Sequence, residues 1–218
     1  MSTVPDAVPL PPPPDIVPYT ETELKAMIAE AKRSGSWSSR TGRTISSRRP
    51  TAERDTAIIV TLVDTGIRAS ELCNLRVGNY TEGTGRLHIQ LGKGKKSRFV
   101  FLGLNGKKAL WKYLSNHREG AQPGHPLFAT RDNTHLDRNN LRNTIKRIAD
   151  RAGVAAANIH RFRHTFAINF LRNGGTPLEL QRLLGHQKME TVMIYVKLAE
   201  VDLETAQRTA SPADRWRL

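Results

Sequence analysis

The sequence predicts a mostly α-helical domain with one small antiparallel β-sheet, an α+β fold class. Apolar residues recur at three- and four-residue intervals over most of the chain after Thr20, which is the period of amphipathic helices. Alternation of apolar and polar residues is confined to a stretch between Leu87 and Leu102 that contains a glycine- and lysine-rich turn, and it predicts a β-hairpin. With 218 residues and no internal repeat, the chain is long enough for one sizeable core.

The N-terminal part begins with a proline-rich segment. Seven of the twelve prolines fall within residues 1–18, which predicts a flexible tail that cannot form a core. Thr20 then opens a helix, with Glu23 three positions later to complete a capping box. Residues 34–49 contain six serines and four arginines and are interpreted as a mobile basic loop, either a linker or a DNA contact.

The central and C-terminal elements follow from the same patterns. A helix is predicted over Thr51–Val63, ended by Gly66 as a left-handed C-cap, and another begins near Arg68. The hairpin has its turn at residues 92–96. Further helices are predicted over Lys107–Ser115, Arg138–Ala152, His160–Asn173 and Pro177–Leu184, around Tyr195, and over Val201–Arg208. We therefore expect one domain over residues 19–200, followed by a C-terminal helix or tail over 201–218.

The charge of the chain indicates a polyanionic partner. Lys and Arg number 34 against 20 Asp and Glu, for a formal net charge of +14 and a pI near 10.5. Nine of the positive charges lie between Gly83 and Arg118, a stretch without a carboxylate. A membrane-surface protein is the alternative, but no long apolar run or signal-like segment is present. Cys73 is the single cysteine, which excludes an intrachain disulfide or a multi-cysteine zinc site and fits a reducing cytoplasm.

Several short segments place cations and proton carriers at helix starts and turns. In "NIHRFRHTF", His160 and Arg163 are three apart and share one helical face, while His164 points elsewhere and is interpreted as a hydrogen-bonded packing histidine. In "DTGIRASEL", Arg68 follows a tight turn, with Glu71 one helical turn later. The hairpin segment "LGKGKKSR" offers a glycine-flanked lysine that can approach a phosphate backbone. Taken singly, each of these segments is a weak signal.

The segment "LLGHQKMETVMIYV" permits two interpretations. Gly185 ends a helix, His186 follows it, and Tyr195 lies nine residues later among Met193, Ile194 and Val196. A tyrosine among aliphatic residues is usually a half-buried core residue. The other interpretation is that the tyrosine is a nucleophile and that the histidine faces the same substrate.

Taken together and in this order, the segments TGIRASEL, GKGKKSR, HRFRH and LLGH followed nine residues on by tyrosine resemble the catalytic domain of the tyrosine recombinase (phage integrase) family. The resemblance covers roughly residues 16–200. It implies six catalytic residues, with Glu71 as support: Arg68, Lys93, His160, Arg163, His186 and Tyr195. DNA contacts are expected from the basic residues Arg40, Arg43, Arg48, Arg49, Lys95, Lys96, Arg98 and Arg161.

The implied chemistry requires such a set. Two arginine forks can hold the non-bridging oxygens of a phosphodiester and neutralise the charge that grows in the transition state. A phenol with a pKa of about 10 needs neighbouring cations and a histidine that takes its proton. Lys93 would protonate the departing 5′-oxygen. The resemblance thus implies a 3′-phosphotyrosyl intermediate that a second 5′-hydroxyl resolves, without metal, ATP or another cofactor.

The resemblance also sets the expected partners. The substrate would be double-stranded DNA with a specific recombination site, bound by a homotetramer whose subunits are monomeric or weakly associated when free. Accessory DNA-bending or directionality factors are possible partners, and a membrane is not. Most relatives carry a further helical domain before the catalytic one, and no separate N-terminal core-binding domain is predicted here. We therefore expect weak, salt-dependent DNA affinity, at the nucleoid of a bacterium, phage or other mobile element.

Three questions stay open at this level. The segment 201–218 either docks on its own core or packs on a neighbouring protomer as an exchange element. Relaxation of supercoiled DNA by a type IB topoisomerase-like enzyme is an alternative activity, because its active site is similar. A non-catalytic DNA-binding accessory protein is a third class, for which the basic charge alone would suffice.

Overall fold

The structure, a computed structural model, describes residues 16–33, 35–38, 44–47, 51–90, 97–199, 211 and 213. Helices dominate these ranges, and the strands are short. The helices are α1 (Glu21–Lys32), α2 (Ala52–Thr65), α3 (Ala69–Asn74), α4 (Leu104–His117), α5 (Arg138–Arg151), α6 (Ile159–Arg172), α7 (Pro177–Leu184) and α8 (Glu190–Ala199). The strands are β1 (Gly35–Ser38), β2 (Thr44–Ser47), β3 (Tyr80–Thr81), β4 (Arg86–Ile89) and β5 (Arg98–Phe101).

The predicted hairpin is confirmed and has one more strand than expected. Strands β4 and β5 pair antiparallel with Leu87 opposite Val100, and both side chains are buried. The two-residue strand β3 adds to the free edge of β4, giving the order β3-β4-β5. Alternation along β4 buries Leu87 and Ile89, so one face of this sheet packs on the helices.

The interpretation of residues 34–49 as a loop is wrong for eight of them. Residues 35–38 and 44–47 form strands β1 and β2, which pair antiparallel in a separate two-stranded sheet. Apolar and polar residues do not alternate in this serine- and arginine-rich segment, so its sequence does not predict the pairing of β1 with β2. Within the same segment, Arg40, Arg43, Arg48 and Arg49 lie outside the described residues.

Helix ends agree with the local signals. The Thr20–Glu23 capping box of α1 is confirmed, and α7 has the predicted bounds, with Thr176 as N-cap and Gly185 as left-handed C-cap. The predicted helix Val201–Arg208 and residues 1–15 of the tail lie outside the described residues. Residues 16–18, assigned to the tail, instead contact α6 through the guanidinium of Arg161.

Two hydrophobic clusters form the core. The larger one joins the first five helices and the three-stranded sheet, with residues such as Ile58, Leu72 and Phe162 fully buried. The smaller one joins α6, α7 and α8 around Ile168 and Leu184. Helix α6 contributes to both clusters, and the turn after α2, the start of α6 and the end of α7 meet between them.

Cys73 is buried in the larger cluster, where burial raises the pKa of its thiol to about 11. It is therefore an inert core residue, as expected for a small buried hydrophobe. In the part of the chain that is described, no helix has both the length and the apolar character needed to cross a membrane.

Candidate active site

The turn between α2 and α3 requires a glycine and begins the site. Gly66 has a φ of +61°, in the left-handed region that disfavours L side chains, and a Cβ atom there would lie 2.5 Å from Cδ1 of Phe166. The carbonyl of Leu62 accepts a hydrogen bond from the Gly66 N–H, which closes α2. The chain then turns sharply and places Arg68 at the N-cap of α3.

Glu71 holds two arginines together. Its Oε2 accepts a hydrogen bond from the backbone N–H of Arg68 (2.8 Å), and its Oε1 accepts one from the Arg68 guanidinium (3.0 Å). On its other side the same carboxylate forms a two-pronged ion pair with Arg98 of β5, at 2.9 and 2.8 Å. The Arg68 side chain keeps 39% of its surface exposed, whereas Glu71 keeps 4%. Glu71 thus fixes the orientation of Arg68, and part of the Arg68 guanidinium side chain stays accessible to solvent.

Arg163, on the first turns of α6, is almost fully buried and bridges two helix ends. Its Nη1 donates to the carbonyl of Gly66 and its Nη2 to the carbonyl of Leu184, both at 2.8 Å. Burial, followed by the neighbouring Arg68, lowers the pKa of Arg163 to about 10, so it remains a cation at neutral pH. Among the described residues its hydrogen bonds go to neutral carbonyls, and the Glu71 carboxylate acts on it only through space.

The end of α7 fixes His186. Gly185 takes the left-handed conformation, and the N–H of His186 donates to the carbonyl of Gln181 (3.1 Å), the six-to-one bond of a Schellman motif. Arg98 also donates from Nε to the carbonyl of Leu183 (2.6 Å). The Nδ1 atom of His186 is buried and has no hydrogen-bond partner among the described residues.

Tyr195 lies on α8, with its ring in the core and its hydroxyl beside a histidine. The residue is 5% exposed and its ring packs in the smaller cluster with Leu180 and Val192. Its hydroxyl lies 3.0 Å from Nδ1 of His164, and its ring stacks with that of His186 at 6.3 Å between centroids. Burial raises the pKa of Tyr195, against the lowering effect of Arg163 and Arg68, so the phenol is protonated at neutral pH.

Five residues of the predicted set therefore lie together: Arg68, Glu71, Arg163, His186 and Tyr195. His160 lies nearby, exposed on the first turn of α6, with its ring 6.5 Å from that of His164. Lys93, Lys95 and Lys96 lie outside the described residues, so their roles stay predictions. The described residues contain no cluster of three or more His, Cys, Asp or Glu side chains suited to a metal ion.

Two arginines assigned to DNA contact take structural positions instead. Arg98 has 9% of its side chain exposed, and its guanidinium donates its hydrogen bonds to Glu71 and to the carbonyl of Leu183. Arg161 stacks over the ring of Tyr19, pairs with Glu23 and donates to backbone carbonyls, among them Val17. We therefore revise both assignments: Arg98 anchors β5 to α7, and Arg161 fastens the N-terminal segment to α6. These contacts join residues that are far apart in the sequence, so a local sequence pattern cannot predict them.

The hydrogen-bonding partner of His164 is what sequence reasoning did not identify. The sequence indicates a hydrogen-bonded packing histidine off the face of His160 and Arg163, and His164 is half-buried and hydrogen-bonded in the structure. That geometry is correct, but α8 packs on the face where His164 lies and brings the Tyr195 hydroxyl to it. A signal was available in its position directly after Arg163, although one sequence could not show which helix covers that face.

We predict that His186 stays neutral well below its usual titration range. Burial, followed by Arg163, Arg68 and Arg98, lowers the pKa of His186 to about 4. The unfolded chain then binds a proton that the folded chain rejects, so this group's contribution to stability is present above pH 6.5 and falls as the pH drops toward 4. Titration by NMR of labelled histidines, with His186→Gln for assignment, checks this; a midpoint near 6.5 would contradict it.

Comparisons with known proteins agree with this arrangement. The family model described as the phage integrase family matches residues 20–201. The tyrosine recombinase XerD of Chlamydia trachomatis is 33% identical over 167 residues, which cover 75% of this chain and 55% of that protein. The structure resembles the crystal structure of XerA recombinase, with a TM-score of 0.70, 27% identity and coverage of 94% of this chain and 68% of that one. It also resembles the XerH site-specific recombinase bound to palindromic difH substrate, with a TM-score of 0.66, 22% identity and coverage of 91% and 54%.

The fold and the site together define the catalytic-domain class of the DNA recombinases that use tyrosine. The chain belongs to the phage integrase (tyrosine recombinase) family, as the family model over most of its length shows. Its fold is the mostly helical one with a small antiparallel sheet that the sequence predicted. The chain spans about half the length of the curated relatives it matches.

Proposed function

We propose that this chain cuts and rejoins double-stranded DNA at a specific recombination site through a 3′-phosphotyrosyl intermediate. The single observation that supports this most strongly is the placement of the Tyr195 hydroxyl beside His164, with the Tyr195 ring stacked on His186 and the phenol within the electrostatic reach of Arg68 and Arg163. A phenol among two arginines and two histidines is the combination that phosphoryl transfer to tyrosine requires.

The proposed reaction has two steps that mirror each other. In the first, the Tyr195 oxygen forms a bond to phosphorus, the bond from phosphorus to the 5′-oxygen breaks, and Arg68 and Arg163 stabilise the charge on the non-bridging oxygens. The phenolic proton leaves to a base and the 5′-oxygen receives a proton, which we assign to Lys93. In the second, a 5′-hydroxyl from another duplex attacks the phosphotyrosine. One ester replaces another, so no ATP is needed, and the arginine cations take the charge-stabilising role that a metal ion would otherwise have.

The buried parts of the site suit an anionic substrate. Three arginines, Arg68, Arg98 and Arg163, surround a single carboxylate, Glu71, so the cluster keeps a net positive charge. The unpartnered Nδ1 of His186 can then hydrogen-bond an oxygen of the bound phosphate. The XerH relative was solved with its difH substrate in a post-cleavage complex, and we propose DNA as the substrate of this chain as well.

Assembly and location are proposed on the same basis. We expect a homotetramer on two DNA sites, monomers or weak oligomers without DNA, and DNA-bending or directionality factors as possible partners. The proposed compartment is the cytoplasm, at the nucleoid.

The test is incubation of the protein with a suicide duplex that carries a nick close to the cleavage site, so that a short fragment is lost after attack. Candidate sites are taken from the DNA that flanks the gene. We expect a covalent protein–DNA adduct in the presence of a chelator, a free 5′-hydroxyl that polynucleotide kinase can label, and a DNA-linked peptide that contains Tyr195. Binding without an adduct would favour the accessory protein, and site-independent relaxation of supercoiled plasmid would favour the topoisomerase.

A further inference from the structure

The histidine in contact with the nucleophile is not one of the two that the family motifs pointed to. Nδ1 of His164 lies 3.0 Å from the Tyr195 hydroxyl, within hydrogen-bond range, and the two ring centroids are 5.7 Å apart. His164 follows Arg163 on α6, so one helix turn presents both the buried cation and this imidazole to α8. The hydrogen bond between His164 and the Tyr195 hydroxyl thus connects α6 directly to the phenol on α8.

The other two histidines do not make this contact. His186 stacks on Tyr195 with an interplanar angle of 24°, but its Nδ1 has no partner among the described residues. His160 is exposed at the start of α6, its ring is 6.5 Å from that of His164, and no hydrogen bond joins it to Tyr195 among the described residues. Within the described ranges, His164 is therefore the residue that hydrogen-bonds to the Tyr195 hydroxyl.

The protonation states of the two groups permit a hydrogen bond in which the phenol is the donor. Burial raises the pKa of Tyr195, so the phenol carries its proton at neutral pH. Burial, followed by His160 and Arg163, lowers the pKa of His164, so the imidazole is neutral. A neutral imidazole accepts at one nitrogen and donates at the other. With its proton on Nε2, His164 offers Nδ1 as an acceptor to the phenol O–H.

We propose that His164 is the base that receives the Tyr195 proton during DNA cleavage, an inference that rests on the proposed function. As the bond from the Tyr195 oxygen to phosphorus forms, the phenolic O–H bond breaks and the proton passes to Nδ1, which leaves an imidazolium. The bond from phosphorus to the 5′-oxygen breaks, and that oxygen takes its proton from a separate acid. When a 5′-hydroxyl later attacks the phosphotyrosine, its proton returns to the group that served as the acid, and the Tyr195 oxygen leaves and recovers the proton from His164.

The surroundings of His164 allow this exchange. The residue is half-buried between α6 and α8, so the donor–acceptor geometry is preorganised before DNA binds. The titratable and charged groups that face it are His160 and Arg163 on its own helix and Tyr195 from α8. An imidazolium formed beside Arg163 is disfavoured in the free protein, and the phosphate anion that enters the site offsets this repulsion. Proton transfer is thereby tied to an occupied site.

Two substitutions separate the chemical role from a positioning role. In His164→Asn, the side-chain oxygen can occupy the position of Nδ1 and still accept a hydrogen bond, but it cannot take up a proton. In His164→Ala both functions are lost. The exposed His135 supplies the matched control, His135→Asn, on the segment between α4 and α5. Thermal unfolding of each variant establishes that the fold is retained.

The experiment measures single-turnover adduct formation between pH 6 and pH 9 on the nicked duplex and on a duplex with a 5′-bridging sulfur, whose leaving group needs no acid. We expect His164→Ala and His164→Asn to slow cleavage by about 10²-fold or more at pH 7. The deficit shrinks as the pH rises toward the pKa of the phenol, because hydroxide then removes the proton. The sulfur substrate rescues Lys93→Ala and leaves both His164 variants slow, since they lack the base and not the acid.

The outcomes distinguish this inference from the proposed function. A wild-type rate and pH profile in His164→Asn would overturn the role as a base and leave hydrogen bonding alone. Rescue of His164→Asn by the bridging sulfur would also overturn it, because the residue would then act on the leaving group. If the wild-type protein itself forms no adduct, the proposed function fails and this inference fails with it.

Discussion

Replacing Tyr195 by phenylalanine is expected to abolish the covalent protein–DNA adduct, with a loss of about 10⁴-fold or more in cleavage. The substitution removes the one oxygen that can attack phosphorus and leaves the ring in the smaller hydrophobic cluster. The hydrogen bond to His164 is lost with it, which costs about 1 kcal/mol of folding stability. DNA affinity is expected to remain, because cationic contacts to phosphates dominate binding.

The matched control for this substitution is Tyr80→Phe. The Tyr80 hydroxyl is buried without a hydrogen-bond partner among the described residues, on the short strand β3. Its removal leaves no acceptor unsatisfied and does not touch the site, so adduct formation is expected at the wild-type rate. Adduct yields on the suicide duplex, together with gel-shift measurements of binding, check both variants. An adduct that survives in Tyr195→Phe would show that another residue is the nucleophile.

The second large effect is on folding. Glu71→Gln is expected to lower the free energy of unfolding by about 3–5 kcal/mol, because it leaves the buried guanidinium of Arg98 without a compensating charge. Although burial raises the pKa of Glu71, hydrogen bonds from Arg98 and the Arg68 backbone lower it to about 2. The ion pair therefore stabilises the fold fully above pH 4.5, and its contribution is lost as the pH falls from 4.5 toward 2.

Urea unfolding at pH 7, and at steps between pH 5 and pH 3, measures this effect. The difference between the wild type and Glu71→Gln is expected to shrink as the solution becomes more acidic. The double variant Glu71→Gln, Arg98→Met should recover much of the loss, since an apolar side chain needs no counter-charge. Glu21→Gln is the control: its ion pair with Lys25 is fully solvent-exposed, so stability is expected to stay almost unchanged. Equal losses in Glu71→Gln and Glu21→Gln would refute the structural role of Glu71.

Much of the fold follows from local signals in the sequence. The bounds of α7 are encoded by Thr176, Pro177 and Gly185, because capping residues act on the backbone beside them. Strand β3 was not predicted, since two residues carry no periodicity and pair only where β4 is already in place. The sequence does not predict strands β1 and β2 either, because a serine- and arginine-rich segment has no apolar alternation.

In the candidate site, too, the residues that belong to local motifs are predicted and those that depend on long-range contacts are not. Arg68, Glu71, Arg163, His186 and Tyr195 were predicted as a group from spaced motifs, and the structure places them together. The positions of Arg98, Arg161 and His164 depend on contacts between residues 27 to 144 positions apart. A single sequence gives the face of a helix but not its neighbour, so these roles needed the three-dimensional arrangement.

The way Arg163 is held has a consequence for how the site attracts DNA. Its two acceptors, the carbonyls of Gly66 and Leu184, lie at the C-terminal ends of α2 and α7, where the aligned peptide dipoles of each helix concentrate partial negative charge. Two macrodipoles thus serve as the counter-ion of a buried guanidinium. Because a dipole has no net charge, it does not neutralise the cation, and the electric field of Arg163 still extends outward to an incoming phosphodiester.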